Sequence, residues 1–213
     1  YVSPNIEEHA WYLAGVLNSD LVQFYIRRNA ATYRGNYLRY KSEYVGDIPI
    51  PDPESDEVPN SLVDSIAETA RRMQDSIQEY RQSESLVTNS EELLEAADVE
   101  TVSLTRTGYV ARIPDPDDSE DAEINPNLNG TKIRLNIHQT IDFNSEKEAQ
   151  AVFHMLDAMN ITTIQELRNS SYPRTLEGVD SLLDTYQQAQ QTIEDAGSRL
   201  QQIEDELHND IYE

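Results

Sequence analysis

The sequence predicts an α+β protein in which long, antiparallel, coiled-coil-like helices accompany a small strand-containing module. Three observations predict it. Apolar residues at alternating steps of three and four run through residues 61–87 and again from Thr175 to the chain end. Apolar–polar alternation, the mark of a strand, is confined to the stretch between those two. A shorter periodic segment near the N-terminus leads into a basic, tyrosine-rich stretch, in a chain that is otherwise a polyanion.

Residues 7–28 are expected to form one helix, with Ala10, Leu13, Ala14, Leu17, Leu21, Phe24 and Tyr25 as its apolar stripe and Trp11 in the core. Turn formers Asn29, Gly35 and Asn36 then place residues 29–42 on a loop. Val45 to Pro53 (VGDIPIPDP) is apolar and proline-rich, which fits an edge strand or extended linker and excludes a helix. Asn60 is positioned to cap a helix over 61–87, whose seam is Val63, Ile66, Ala70, Met73, Ile77, Tyr80 and, past a polar slip at Glu84, Val87.

Residues 88–174 form the small α+β module. Val99–Val110 and Thr131–Ile141 are expected as strands, most clearly at Ile133, Leu135 and Ile137. Ser145 with Glu148, opening a helix over 146–159, and Thr163 with Glu166 are candidate capping boxes. The acidic loop between the strands places carboxylates at 115, 117, 118, 120 and 121, but it has Glu120 where a calcium loop needs its turn glycine and no ligand at the twelfth place. A solvated acidic loop is the better reading. From Thr175 onward Val179, Leu182, Tyr186, Ala189, Ile193, Ala196, Leu200, Ile203 and Leu207 keep the heptad steps without a miss, a coiled-coil helix that would fold back along the first or form a homodimer through its seam.

Composition bounds the function. The chain has 40 acidic against 16 basic residues, a net charge of −24, with three lysines and 13 arginines. Acids spread through folding segments suggest a high-salt cytoplasm in a salt-loving archaeon. No cysteine is present, no apolar run approaches a membrane span, and the start at Tyr1 suggests a piece of a longer polypeptide. His9, His138, His154 and His208 have no ligand spacing, and there is no glycine-rich phosphate loop. Residues 124–127 (INPN) lack the second proline and the aromatic of an amino-methyltransferase motif, so a turn is expected there.

The exception is residues 12–51. Arg27, Arg28, Arg34, Arg39 and Lys41 are interleaved with tyrosines at 25, 33, 37, 40 and 44, and no acid occurs between Asp20 and Glu43. Concentrated cations and aromatics point to a negatively charged, stackable partner, nucleic acid first. At molar salt the Debye length is only about 3 Å. Binding would then rest on Arg forks and close hydrogen bonds rather than on bulk charge.

The order of LAGVLNSDLVQFYIRR, the loop YRGNYLRYK, EYVGDIPIP and a long helix resembles the C-terminal specificity region of adenine-specific DNA methyltransferases, including the TaqI-like domain of type IIG restriction-modification enzymes and phage-defence methylases. The resemblance covers about residues 10–55. It implies that residues 1–60 close a target recognition domain, and that double-stranded DNA is the partner. Methyl transfer with S-adenosylmethionine would fall to an upstream domain of the same polypeptide, with no catalytic, cofactor or metal residue in this chain. Tyr33, Arg34, Tyr37, Arg39 and Lys41 would face DNA, while Leu17, Asn18, Ser19 and Pro49, Ile50, Pro51 would be scaffold. Arg27 and Arg28 would join the DNA face or simply cap the helix C-terminus, where positive charge is favoured. The alternative from another class is a coiled-coil interaction module without DNA contact; a DNA mimic is a third, against which the acid-free stretch argues.

Overall fold

The computed structural model describes residues 7–29, 46–112, 123–136 and 139–212. The loop residues Tyr33, Arg34, Tyr37, Arg39 and Lys41, the acidic loop carboxylates and His138 lie outside them. Two compact units divide the chain: residues 1–79 with 195–213, and residues 80–194.

The first unit begins with α1 (Glu7–Leu17) and α2 (Asp20–Asn29), two helices where the sequence predicts one. Ser19 causes the break. Its hydroxyl donates to the Val16 carbonyl at 2.7 Å and accepts from the Val22 amide at 3.4 Å, so the same side chain ends one helix and caps the next. Asn18 adds a bond from Nδ2 to the Ala14 carbonyl, 2.7 Å. The break also changes which face is buried. Tyr12, Val16, Val22 and Ile26 enter the core, whereas Leu17, Leu21 and Phe24 of the expected stripe are 37%, 52% and 60% exposed. Both sets of residues follow helical spacing, and only packing chooses between them.

α3 (Asn60–Thr88) and α7 (Leu176–Tyr212) contribute their first and last parts to this unit. Asn60 is already helical, and the Pro59 carbonyl accepts from Leu62 and Val63, so the helix opens one residue before the expected start. Val63, Ile66, Ala67 and Leu207 close a core over Tyr12, Val16, Val22 and Ile26. The helices run antiparallel here: Arg72 pairs with Glu206 at 2.6 Å, and Glu79, seven residues on, pairs with Arg199, seven residues back. All nine expected α7 seam positions are buried or half-buried by the chain itself, Val179, Leu182, Ala189, Ala196, Ile203 and Leu207 fully so. In α3 the slip at Glu84 is taken up by Ser83, which is buried while Glu84 is exposed.

Gly15 lets α1 approach α3. A Cβ there would lie 2.6 Å from Ile66 Cγ2 and 3.3 Å from the Ile66 carbonyl oxygen. Arg71 of α3 sits over the Trp11 ring, 5.8 Å from its centroid, within cation–π reach.

The second unit is α+β. α4 (Ser90–Ala96), unexpected from the strand reading, is capped by Asn89, whose side chain accepts from the Glu91 and Glu92 amides. The expected strand Val99–Val110 is instead β1 (Thr101–Ser103), a 3-10 turn over Leu104–Arg106 and β2 (Val110–Arg112), and its two strands join different sheets. The expected strand Thr131–Ile141 likewise divides into β4 (Lys132–Arg134) and β5 (Thr140–Phe143). With β3 (Asn127–Asn129) they form an antiparallel sheet in the order β2-β5-β4-β3. The β3–β4 hairpin turns through Gly130 at φ 58°, the conformation a two-residue hairpin loop asks of its first position. Residues 124–127 are not a turn: the Ile124 amide donates to the Thr162 carbonyl, Asn125 to the Leu135 carbonyl, and Asn127 begins β3.

α5 (Glu146–Ala158) covers the sheet, burying Ala149, Val152, Met155 and Leu156 against Ile133, Ile141 and Phe143. Its cap is only half a box: Ser145 accepts from the Glu148 amide, while Glu148 Oε2 is buried without a hydrogen-bond partner. The box at α6 (Ile164–Asn169) is complete, with Thr163 and Glu166 bonding reciprocally. β6 (Ser171–Pro173) then pairs with β1, and the Tyr109 hydroxyl donates to the Pro173 carbonyl at 2.7 Å. Burial pushes the Tyr109 and Tyr172 hydroxyls well above the usual phenol range, so both stay neutral donors.

Candidate nucleic-acid interface

α2 delivers the chain to the tyrosine-rich stretch and takes it back. After Asp20 it carries no acid, and Arg27 and Arg28 lie exposed in its last turn, where cations favour the partial negative charge of a helix C-terminus. This accounts for their place without a ligand, and their long side chains remain free to reach one.

One residue holds both ends of the stretch. The Tyr25 carbonyl accepts from Asn29 Nδ2 at 2.8 Å, and the Tyr25 hydroxyl donates to the Asp47 carbonyl at 3.0 Å. Residues 29 and 47 are thereby both fixed to Tyr25 of α2. Such a base shortens the search of any loop built on it. Four residues on, the Tyr12 hydroxyl donates to the Pro51 carbonyl at 3.2 Å, fixing the Pro-Ile-Pro segment to α1. Burial, then the nearby Asp52, raises the Tyr12 hydroxyl pKa and keeps it a donor.

In the described part of the segment from Val45 to Pro53, Gly46 is helical, against the exclusion of helix, since the proline restriction falls on Ile48, Ile50 and Asp52 instead. From Ile48 to Pro51 the chain pairs with no strand; Ile50 donates to the Ile48 carbonyl. Ile48 and Ile50 pack on the core of the first unit. Asn18 and Ser19 thus shape the break between α1 and α2, and Pro51 is tied to α1. Leu17 is 37% exposed.

Between α2 and the Pro-Ile-Pro segment lies a groove of about 330 Å³, lined by Leu21, Phe24, Tyr25, Arg28, Ile48 and Pro49 among others. Sequence reasoning misses it, because Leu21 and Phe24 read as core.

Among the described residues the histidines stand apart from one another. His9 lies 3.8 Å from Glu54, His208 lies 4.0 Å from Asp20, and His154 meets Phe153 edge to face. Among the described residues no group of three His, Asp or Glu could hold a metal ion, and no helix is long and apolar enough to cross a membrane.

No curated protein and no solved structure matches the chain. A family model does, and it covers α1, the Asn18–Ser19 break, α2, the cationic stretch and the segment up to Ile50: over residues 2–50 the chain is similar to the TaqI-like C-terminal specificity domain.

Proposed function

We propose that this chain recognises a DNA target site for a restriction-modification or phage-defence adenine-specific methyltransferase, and is itself noncatalytic. The observation that carries it is the specificity-domain match over residues 2–50, which coincides with the acid-free stretch between Asp20 and Glu43. In this reading Tyr33, Arg34, Tyr37, Arg39 and Lys41 meet double-stranded DNA, with guanidinium groups on base edges or phosphates and tyrosines stacking or bonding alongside. Arg27 and Arg28 stand at the root of the loop, available to flanking phosphates.

Methyl transfer would belong to an upstream domain of the same polypeptide, which would bind S-adenosylmethionine with its own residues. The acid-rich, lysine-poor composition supports a high-salt cytoplasm as the working medium. Burial of six of the nine α7 seam positions within one chain weighs against the coiled-coil alternative.

The test is duplex binding by the whole chain and by the Arg34→Ala, Arg39→Ala double variant, across a salt series. Removing an arginine that neutralises one phosphate reduces the slope of log affinity against log salt by about 0.9. Removing one that reads a base edge weakens discrimination between sequences instead. Unchanged affinity, slope and discrimination in the double variant would refute the loop assignment.

A further inference from the structure

The groove beside α2 offers a surface of its own. Its walls are apolar: Val16, Val22 and Ile66 at the floor, Leu21 and Phe24 at the lip, Ile48 and Pro49 opposite. At about 330 Å³ it lies near the lower end of the range of about 300–1,000 Å³ for ligand sites. Among the described residues no carboxylate lines it, and the one charged side chain on its rim is Arg28.

The polar atoms of the walls decide what it can hold. Ser19 Oγ is engaged by the Val16 carbonyl and the Val22 amide, Tyr12 Oη by Pro51, Tyr25 Oη by Asp47 and Asn29 Nδ2 by Tyr25. A nucleobase would find few partners for its edge, and leaving those groups unpaired is costly. A bulky apolar side chain needs none. The backbone narrows the choice further. Pro49 and Pro51 have no amide hydrogen, the Ile50 amide bonds to Ile48, and α2 satisfies its own backbone. An extended peptide therefore meets no edge to pair with, whereas a helix carries its own hydrogen bonds.

We propose that this groove docks the apolar face of an acidic amphipathic helix from a protein partner. Leu21 and Phe24 receive its large side chains and Arg28 pairs with a flanking carboxylate. The combination of an aromatic and an arginine at one apolar site is that of an interface hot spot. The inference shares Arg28 with the DNA reading, and Phe24→Ser, outside the DNA-facing residues, keeps the two tests distinguishable.

The probe is a fluorescein-labelled, helix-forming peptide with Leu and Phe at positions i, i+3, i+4 and i+7 and Glu elsewhere. Two control peptides accompany it, one with Lys in place of Glu and one with Ala in place of the apolar residues. Fluorescence anisotropy with the whole chain should show the acidic peptide binding and both controls about tenfold or more weaker. Phe24→Ser should weaken the acidic peptide about tenfold or more. Arg28→Glu should reverse the preference between the Glu and Lys peptides. Both positions are exposed, and unchanged Trp11 fluorescence unfolding would confirm that the variants fold. Failure of the acidic peptide to bind, binding indifferent to Phe24→Ser or to charge, or a loss of duplex DNA affinity in Phe24→Ser would overturn the proposal. Loss of DNA binding in the Arg34, Arg39 variant leaves it standing.

Discussion

Replacing Gly15 by alanine tests the packing that supports the whole N-terminal unit. In an exposed helix interior, glycine to alanine stabilises by about 0.8–1.0 kcal/mol. At Gly15 the new Cβ would lie 2.6 Å from Ile66 Cγ2, where apolar carbons prefer about 3.5–4.0 Å, so one of them must move by about 1 Å. Ile66 is β-branched, and its carbonyl also stands 3.3 Å away, so relief requires α1 and α3 to separate. Overpacking of this kind costs about 1–3 kcal/mol. The net effect is a loss of about 1 kcal/mol after the helix gain is subtracted. Gly197, in the middle of α7, would meet nothing within 4 Å, so Gly197→Ala should give the helix gain alone, about 1 kcal/mol of stabilisation. Urea unfolding followed by Trp11 fluorescence reads this unit, because Trp11 is the chain's single tryptophan and packs on its core. In an Ile66→Ala background the Gly15→Ala penalty should shrink, leaving only the contact with the residue 66 carbonyl, a coupling that a double-mutant cycle isolates. Equal stabilisation by both glycine replacements would refute the close approach of α1 to α3.

Two further predictions concern the second unit. Tyr109→Phe removes the donor to the buried Pro173 carbonyl and should lower stability by about 1–3 kcal/mol in a denaturant titration followed by far-UV circular dichroism, whereas Thr105→Ala, at an exposed position, should change little. Glu166 has its pKa lowered below the ordinary 4.5, first by the Thr162 amide, then by the Thr162 hydroxyl and by Thr163. A depressed carboxyl stabilises the fold above its unfolded pKa and loses that contribution as pH falls through the folded value, so a thermal-melt series downward from pH about 4.5 should fall less steeply in Glu166→Gln.

How much of this was legible varies with the kind of signal. α7 has a single uninterrupted heptad series, so sequence and structure agree at every seam position from Val179 to Leu207. α1 and α2 carry two overlapping helical series, one through Tyr12, Val16, Val22 and Ile26 and one through Leu13, Leu17, Leu21 and Phe24. Hydrophobicity does not rank them, and the Asn18–Ser19 cap that shifts their phase is a short-range signal lost beneath the longer pattern. Asn89 with Glu92 three residues on is the capping signature that marks α4. The strands are three or four residues long, too short for alternation to set their ends. For the site, the resemblance implies a scaffold role for Ser19 and Pro51. It does not imply the Tyr25 anchor, which joins residues that only folding brings together.

The most direct measurement for DNA recognition is photochemical cross-linking of a bound duplex, with the adducts located by peptide mapping. DNA recognition by the tyrosine-rich loop predicts adducts on peptides from Tyr33 to Lys41, abolished in the Arg34→Ala, Arg39→Ala variant. Adducts confined to α3 or α7, or a duplex that binds without touching residues 33–41, would contradict it.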